Sequence, residues 1–73
     1  MEIQSLDLRE HRCPMALLMA KRACAKLGQG EQLALYVLDS GTVKDIPRYL
    51  NSNGFDFEQS VVSGATVFYV TKL

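Results

Sequence analysis

Pro14 and Gly28 bracket the segment from which the rest of this chain can be laid out. Between them stand Met, Ala, Leu, Lys and Arg residues, all strong helix formers. Proline suits a first helical position, where its missing N–H would have no partner anyway and its φ is already helical. Glycine suits the position just past a helix end, and Lys26 places a cation in the last turn. A helix is therefore predicted over 14–27. At about 100° per residue, Ala16, Leu17, Ala20, Ala23, Cys24 and Leu27 gather on one face, which reads as core. Lys21, Arg22 and Lys26 point elsewhere. So do Met15, Leu18 and Met19, three large apolar side chains within two turns of Cys13. Two readings of those three stay open. Either the apolar stripe is wide and a neighbouring loop covers it, or they form a docking patch for a partner that must reach Cys13, a use to which methionine is well adapted.

The flanking segments supply strands. Residues 2–7 alternate partly and predict a short first strand, followed by the charged connection Asp7-Leu8-Arg9-Glu10-His11-Arg12. After a turn at Gly28-Gln29-Gly30-Glu31, residues 32–38 form a nearly continuous apolar run, the pattern of an interior strand. Strand, helix, strand in this order predicts a right-handed parallel unit. Asp39-Ser40-Gly41-Thr42 opens a second helix in which Val43, Ile46 and Leu50 repeat at helical spacing. Pro47 is awkward there. It predicts an irregular or tight first turn over 42–45, with Asp45 or Ile46 heading the regular helix. Asn53-Gly54 ends it. Residues 55–62 and 66–73 then alternate around Ser63-Gly64, a hairpin signal. The order is βαβαββ, without repeats or low-complexity stretches. Two helices on one face of a four-stranded mixed sheet give an α+β two-layer sandwich, one domain over residues 1–73.

Composition narrows the function classes. Eight basic and eight acidic side chains cancel, which argues against the basic footprint that direct nucleic-acid binding needs. No run approaches the roughly 20 apolar residues of a membrane helix, and Glu2-Ile3-Gln4 does not read as a signal peptide. The expected compartment is the reducing cytoplasm, where thiols stay free. The two cysteines, Cys13 and Cys24, lie eleven residues apart on the predicted helix. At 1.5 Å per residue that is roughly 16 Å, beyond the roughly 7 Å between Cα atoms that a disulfide tolerates. No staple and no dithiol couple follows. Cys24 reads as a plain buried side chain. No metal site is expected, because His11 and Cys13 supply at most two ligands within reach.

Cys13 is the position with chemistry in it. At or beside the helix start, its sulfur meets the unpaired N–H groups of the first turn and the positive end of the helix dipole. That setting, with Arg12 adjacent, favours thiolate over thiol. His11, two residues earlier, could serve as base or counter-charge; the plain alternative is an exposed loop histidine without a role. Asp39 and Asp45 read as turn and capping residues of the second helix. A cysteine that merely packs remains the alternative for Cys13.

The pattern resembles the TusA/SirA-like family of small sulfur carriers. The resemblance rests on Leu6-Asp7, Cys13-Pro14 opening a helix, the turn at Gly30-Glu31, and Asp39 followed by Asp45-Ile46-Pro47, in the expected order over nearly the whole chain. It implies the βαβαββ sandwich, with the fourth strand antiparallel inside the sheet. It also implies that Cys13 accepts sulfane sulfur as a persulfide, the only group carried, with no separate cofactor, and that Pro14 is the helix-starting proline. The implied partners are a sulfur donor protein, a cysteine desulfurase or rhodanese-like protein, and a sulfur acceptor protein. Met15, Leu18, Met19, Arg22 and Lys26 are then candidates for the docking surface. The chain departs from the family's Cys-Pro-x-Pro at Ala16, from the usual Gly-Leu at Glu10-His11, and from a frequent proline at Ser40. From other classes, a noncatalytic interaction or regulatory module of the same fold and a Cys13 thiol sensor remain open.

Overall fold

The computed structural model describes residues 4–73. The elements are β1 (Gln4–Asp7), α1 (Met15–Ala25), β2 (Gln32–Val37), α2 (Ser40–Ser52), β3 (Phe55–Val62) and β4 (Ala65–Lys72), the expected βαβαββ order. Residues 2 and 3 of the predicted first strand lie outside the described residues.

The four strands form one sheet in the order β1-β2-β4-β3. β1 runs parallel to β2, with Leu6 opposite Leu35. β4 lies antiparallel to both β2 and β3, with Phe68 opposite Leu35 on one side and Gln59 on the other. The apolar run of β2 thus sits inside the sheet, as its composition predicts. Leu33, Leu35, Val37, Phe68, Val70 and Phe55 form one buried cluster with Ala16, Ala20 and Cys24 of α1 and Ile46 and Leu50 of α2. Since residues two apart on a strand share a face, both helices cover the same face of the sheet. The result is the two-layer α+β sandwich.

Two helix starts differ from expectation. The regular helix α1 begins at Met15, with Pro14 as its N-cap, so Cys13 stands one residue further outside the helix than predicted. The Arg12 carbonyl accepts from Ala16 N–H at 2.9 Å, so the chain is already turning before the regular helix begins. The second helix is regular from Ser40, well before Asp45, and Pro47 lies inside it. The Asp39 side chain accounts for the early start. Its Oδ2 accepts from Thr42 N–H and from Thr42 Oγ1, each at 2.9 Å, which closes the first turn. Pro47 then removes a single helical bond, the one its N–H would have given to the Val43 carbonyl. In the hairpin, Ser63 and Gly64 both take positive φ, 51° and 80°. That is the two-residue turn that matches the twist of an antiparallel pair, and Val62 faces Ala65 across it.

The parallel β1-α1-β2 unit and the β2-α2 connection send both helix N-termini to the same end of the sheet, where β1 and β2 finish. Open α/β layers place their sites beyond the carboxyl ends of parallel strands. Cys13 occupies that end.

Candidate functional site

Cys13 is exposed, and Cys24 is buried; both are free thiols. The loop between β1 and α1 is held from two sides. Leu8, fully buried, donates its N–H to the Tyr36 carbonyl at 2.8 Å, and His11 N–H returns to the Leu8 carbonyl at 3.0 Å. Beyond it, Cys13 N–H donates to Asp39 Oδ2 at 3.3 Å, and Cys13 Sγ faces Asp45 Oδ2 at 3.9 Å. The cysteine therefore sits between the starts of the two helices, tied by its backbone to the cap of α2 and turned by its sulfur toward the next turn of α2.

Gly41 leaves room beside this approach. A Cβ there would stand 3.2 Å from Asp39 Oδ2 and 3.8 Å from Cys13 Cβ. Asp39 carries the junction. Its carboxylate is held below the ordinary value, first by Thr42 N–H and the Thr42 hydroxyl, then by Cys13 N–H and the charge of Arg12. One carboxylate thus caps a helix and anchors the loop that presents the thiol.

The other predicted site residues fall into two groups. Pro14 and Arg12 flank Cys13, both exposed, with the Arg12 carbonyl bonded to Ala16 as described. His11 is half-buried and lines a depression with Arg9, Glu10, Arg12, Leu38 and Asp39. Among the described residues its ring makes no hydrogen bond to Cys13. The nearby Asp7 carboxylate is instead gripped by Arg9, with the Arg9 guanidinium and N–H lowering it to about 2 and His11 a minor contributor.

On α1, Met15, Leu18, Arg22 and Lys26 are exposed, Met15 at 54% and Leu18 at 47%. Their spacing puts them on one stripe running from Cys13 down the helix. Of the three apolar side chains whose cover was left open, Met19 is the covered one. It is half-buried against the core cluster and lines a groove with Arg22, Lys26 and the β1 residues Gln4, Ser5 and Leu6. The reason is angular: Met19 lies on the flank of the stripe that turns toward β1, whereas Leu18 lies on the opposite flank.

Three residues at this end of the sheet were not legible as belonging near the site. Leu38, 54% exposed, borders the Asp39 junction. Val61, 71% exposed, pairs with Thr66, which pairs with Val37, so it lies on the helix-bearing face at the same end of the sheet as Cys13. Asp45 reads as a capping residue in sequence, yet its carboxylate meets the thiol; the signal available was its place in Asp45-Ile46-Pro47. Among the described residues, no group of three or more His, Cys, Asp or Glu side chains is placed to hold a metal ion.

The family model described as sulfurtransferase TusA matches residues 4–72. A sulfur carrier protein TusA from Allochromatium vinosum is 28% identical over 69 residues, covering 94% of this chain and 91% of the relative. Two proteins of Neisseria meningitidis, from serogroups A and B and provisionally named as sulfur carriers, are each 32% identical over 54 residues, covering 74% of this chain and 73% of theirs.

Proposed function

Because the chain belongs to the TusA sulfurtransferase family, we propose that it carries sulfane sulfur as a persulfide on Cys13 and hands it to a partner protein. The observation that carries this reading is the exposed Cys13 between two helix N-termini, on the only described end of the molecule where a free thiol is open to a partner. Cys24 is closed to this role: it is 1% exposed, and burial pushes its thiol up to about 11.

The loading step conserves atoms and electrons. The Cys13 sulfur attacks the outer sulfur of a donor protein persulfide. The donor's S–S bond breaks as the new S–S bond to Cys13 forms, and the proton from Cys13 ends on the donor's released thiolate. Nothing is oxidised or reduced in sum; a sulfane sulfur changes owner. Delivery runs the same step with an acceptor thiolate attacking the Cys13 persulfide. What the chain supplies is position. The Asp39 and Leu8 bonds fix the loop that carries the sulfur between the two helix starts. Met15 and Leu18 offer apolar contact beside it, with Arg22 and Lys26 further along the same stripe. The donor would be a cysteine desulfurase or rhodanese-like protein, in a reducing compartment such as the cytoplasm, where both thiols stay free.

Intact mass after incubation with a cysteine desulfurase and cysteine tests this. The reading expects a reductant-labile gain of one sulfur atom in the wild type and in Cys24→Ala, and none in Cys13→Ser. No gain in the wild type, with thiosulfate and a rhodanese giving the same result, contradicts it and leaves a noncatalytic interaction module.

A further inference from the structure

Among the described residues, Asp45 is the polar side chain that reaches the Cys13 sulfur, with Oδ2 3.9 Å from Sγ. The same carboxylate borders a groove between α1 and α2 that Leu17, Lys21, Arg48 and Tyr49 also line. Two cations are therefore near, yet neither pairs with it. Among the described residues the ion pair within contact distance is Arg9 with Asp7, and Lys21 Nζ lies instead 5.4 Å from the centre of the Tyr49 ring. Asp45 thus brings a carboxylate with no ion-pair partner among the described residues to within 3.9 Å of the reacting atom.

Charge at that distance acts on whatever approaches the sulfur. Opposite charges a few ångströms apart near a protein surface attract, and like charges repel, enough to change encounter rates several-fold. A carrier is exposed to small anionic thiols and their persulfides as well as to its partners, so discrimination at the sulfur has value. We propose that Asp45 is a specificity-determining residue for sulfur transfer. It favours partners that present positive charge beside their reacting sulfur, and it disfavours anionic sulfur compounds of low molecular weight. Its role rests on Cys13 as the sulfur carrier, but its charge effect is measurable without any sulfur transfer.

The test uses thiol-specific methanethiosulfonate reagents of matched size, one cationic and one anionic, with neutral iodoacetamide as a third probe. Labelling of Cys13 is followed by intact mass on wild type, Asp45→Asn and Asp45→Glu at one pH and low salt. The cation-over-anion rate ratio is expected to fall about three- to tenfold in Asp45→Asn and to stay near wild type in Asp45→Glu. A purely structural role would change both charged reagents by the same factor and leave the ratio where it was. An unchanged ratio in Asp45→Asn, or a ratio lost equally in Asp45→Glu, overturns the proposal. If Asp45→Asn fails to fold, as judged by circular dichroism, Asp45→Ser is read against Asp45→Glu in the same way. Failure of persulfide loading in the desulfurase experiment would leave these ratios untouched, so the two readings fail separately.

Discussion

The two thiols, Cys13 just before α1 and Cys24 near its end, meet opposite surroundings, and the contrast can be measured residue by residue. In folded protein, a chromogenic disulfide reagent should titrate Cys13 quickly and Cys24 only on unfolding, because Cys24 is sealed among Ala16, Ala20 and the sheet. Rapid reaction of both thiols would contradict the burial. Cys24→Ser should cost about 1–3 kcal/mol in denaturant titration by placing a hydroxyl in the core, while leaving Cys13 chemistry intact. Asp7 provides a pH test. Its carboxyl falls to about 2 in the folded chain from an ordinary 3.8, because Arg9 bonds the charged form. The folded state therefore binds this proton less readily than the unfolded chain. Asp7, and Asp39 in the same direction, help stability at pH above the ordinary carboxylate value, and that help is lost as pH falls toward 2. Carboxyl NMR titration should find Asp7 with a midpoint near 2; a midpoint near 4 would remove the Arg9 contact from the account.

At the scale of elements, α2 is where sequence and structure part. Pro47 argued for a late regular start, yet the helix runs from Ser40 because Asp39 satisfies its first turn. Asp39→Ala should cost about 1–2 kcal/mol through the lost cap and should also loosen the Cys13 loop, which hydrogen exchange at Cys13 N–H would register. Pro47→Ala restores a donor to the Val43 carbonyl and should raise stability by about 1–2 kcal/mol, after the offset from a freer unfolded chain. A fall in stability would mean that the proline is fixed by packing. What was legible in these elements came from local rules: Gly54 as a stop, alternation in the hairpin, and the apolar run of β2; α1 instead ends at Ala25, two residues short of the expected Leu27. What was not legible is contact between elements. No periodicity connects Cys13 to Asp39 and Asp45, which lie 26 and 32 residues further on and come together only because the parallel unit brings both helix starts to one end. Which of the two open readings held for Met19 was not legible for a related reason, since its neighbour is a strand that the helical wheel does not contain.

On the scale of the whole molecule, the layers make one end of a small sandwich different from the rest. Cys13, Met15, Leu18, Leu38 and Val61 are all exposed toward that end, whereas the core behind them is closed by Leu8, Val37 and Phe68. If that end is the partner face, Leu18→Asp should weaken sulfur delivery from a desulfurase at least tenfold at limiting protein, while Cys13 alkylation by iodoacetamide stays near the wild-type rate. Loss of both would point to a folding defect. The most direct measurement is localisation of the sulfur after loading. Alkylation of the loaded protein followed by trypsin separates Cys13, on the peptide from Cys13 to Lys21, from Cys24, which lies beyond Arg22. The account predicts an alkylated persulfide on the Cys13 peptide and none on the Cys24 peptide. Sulfur on Cys24, or on neither peptide after exposure to an active desulfurase, would contradict it.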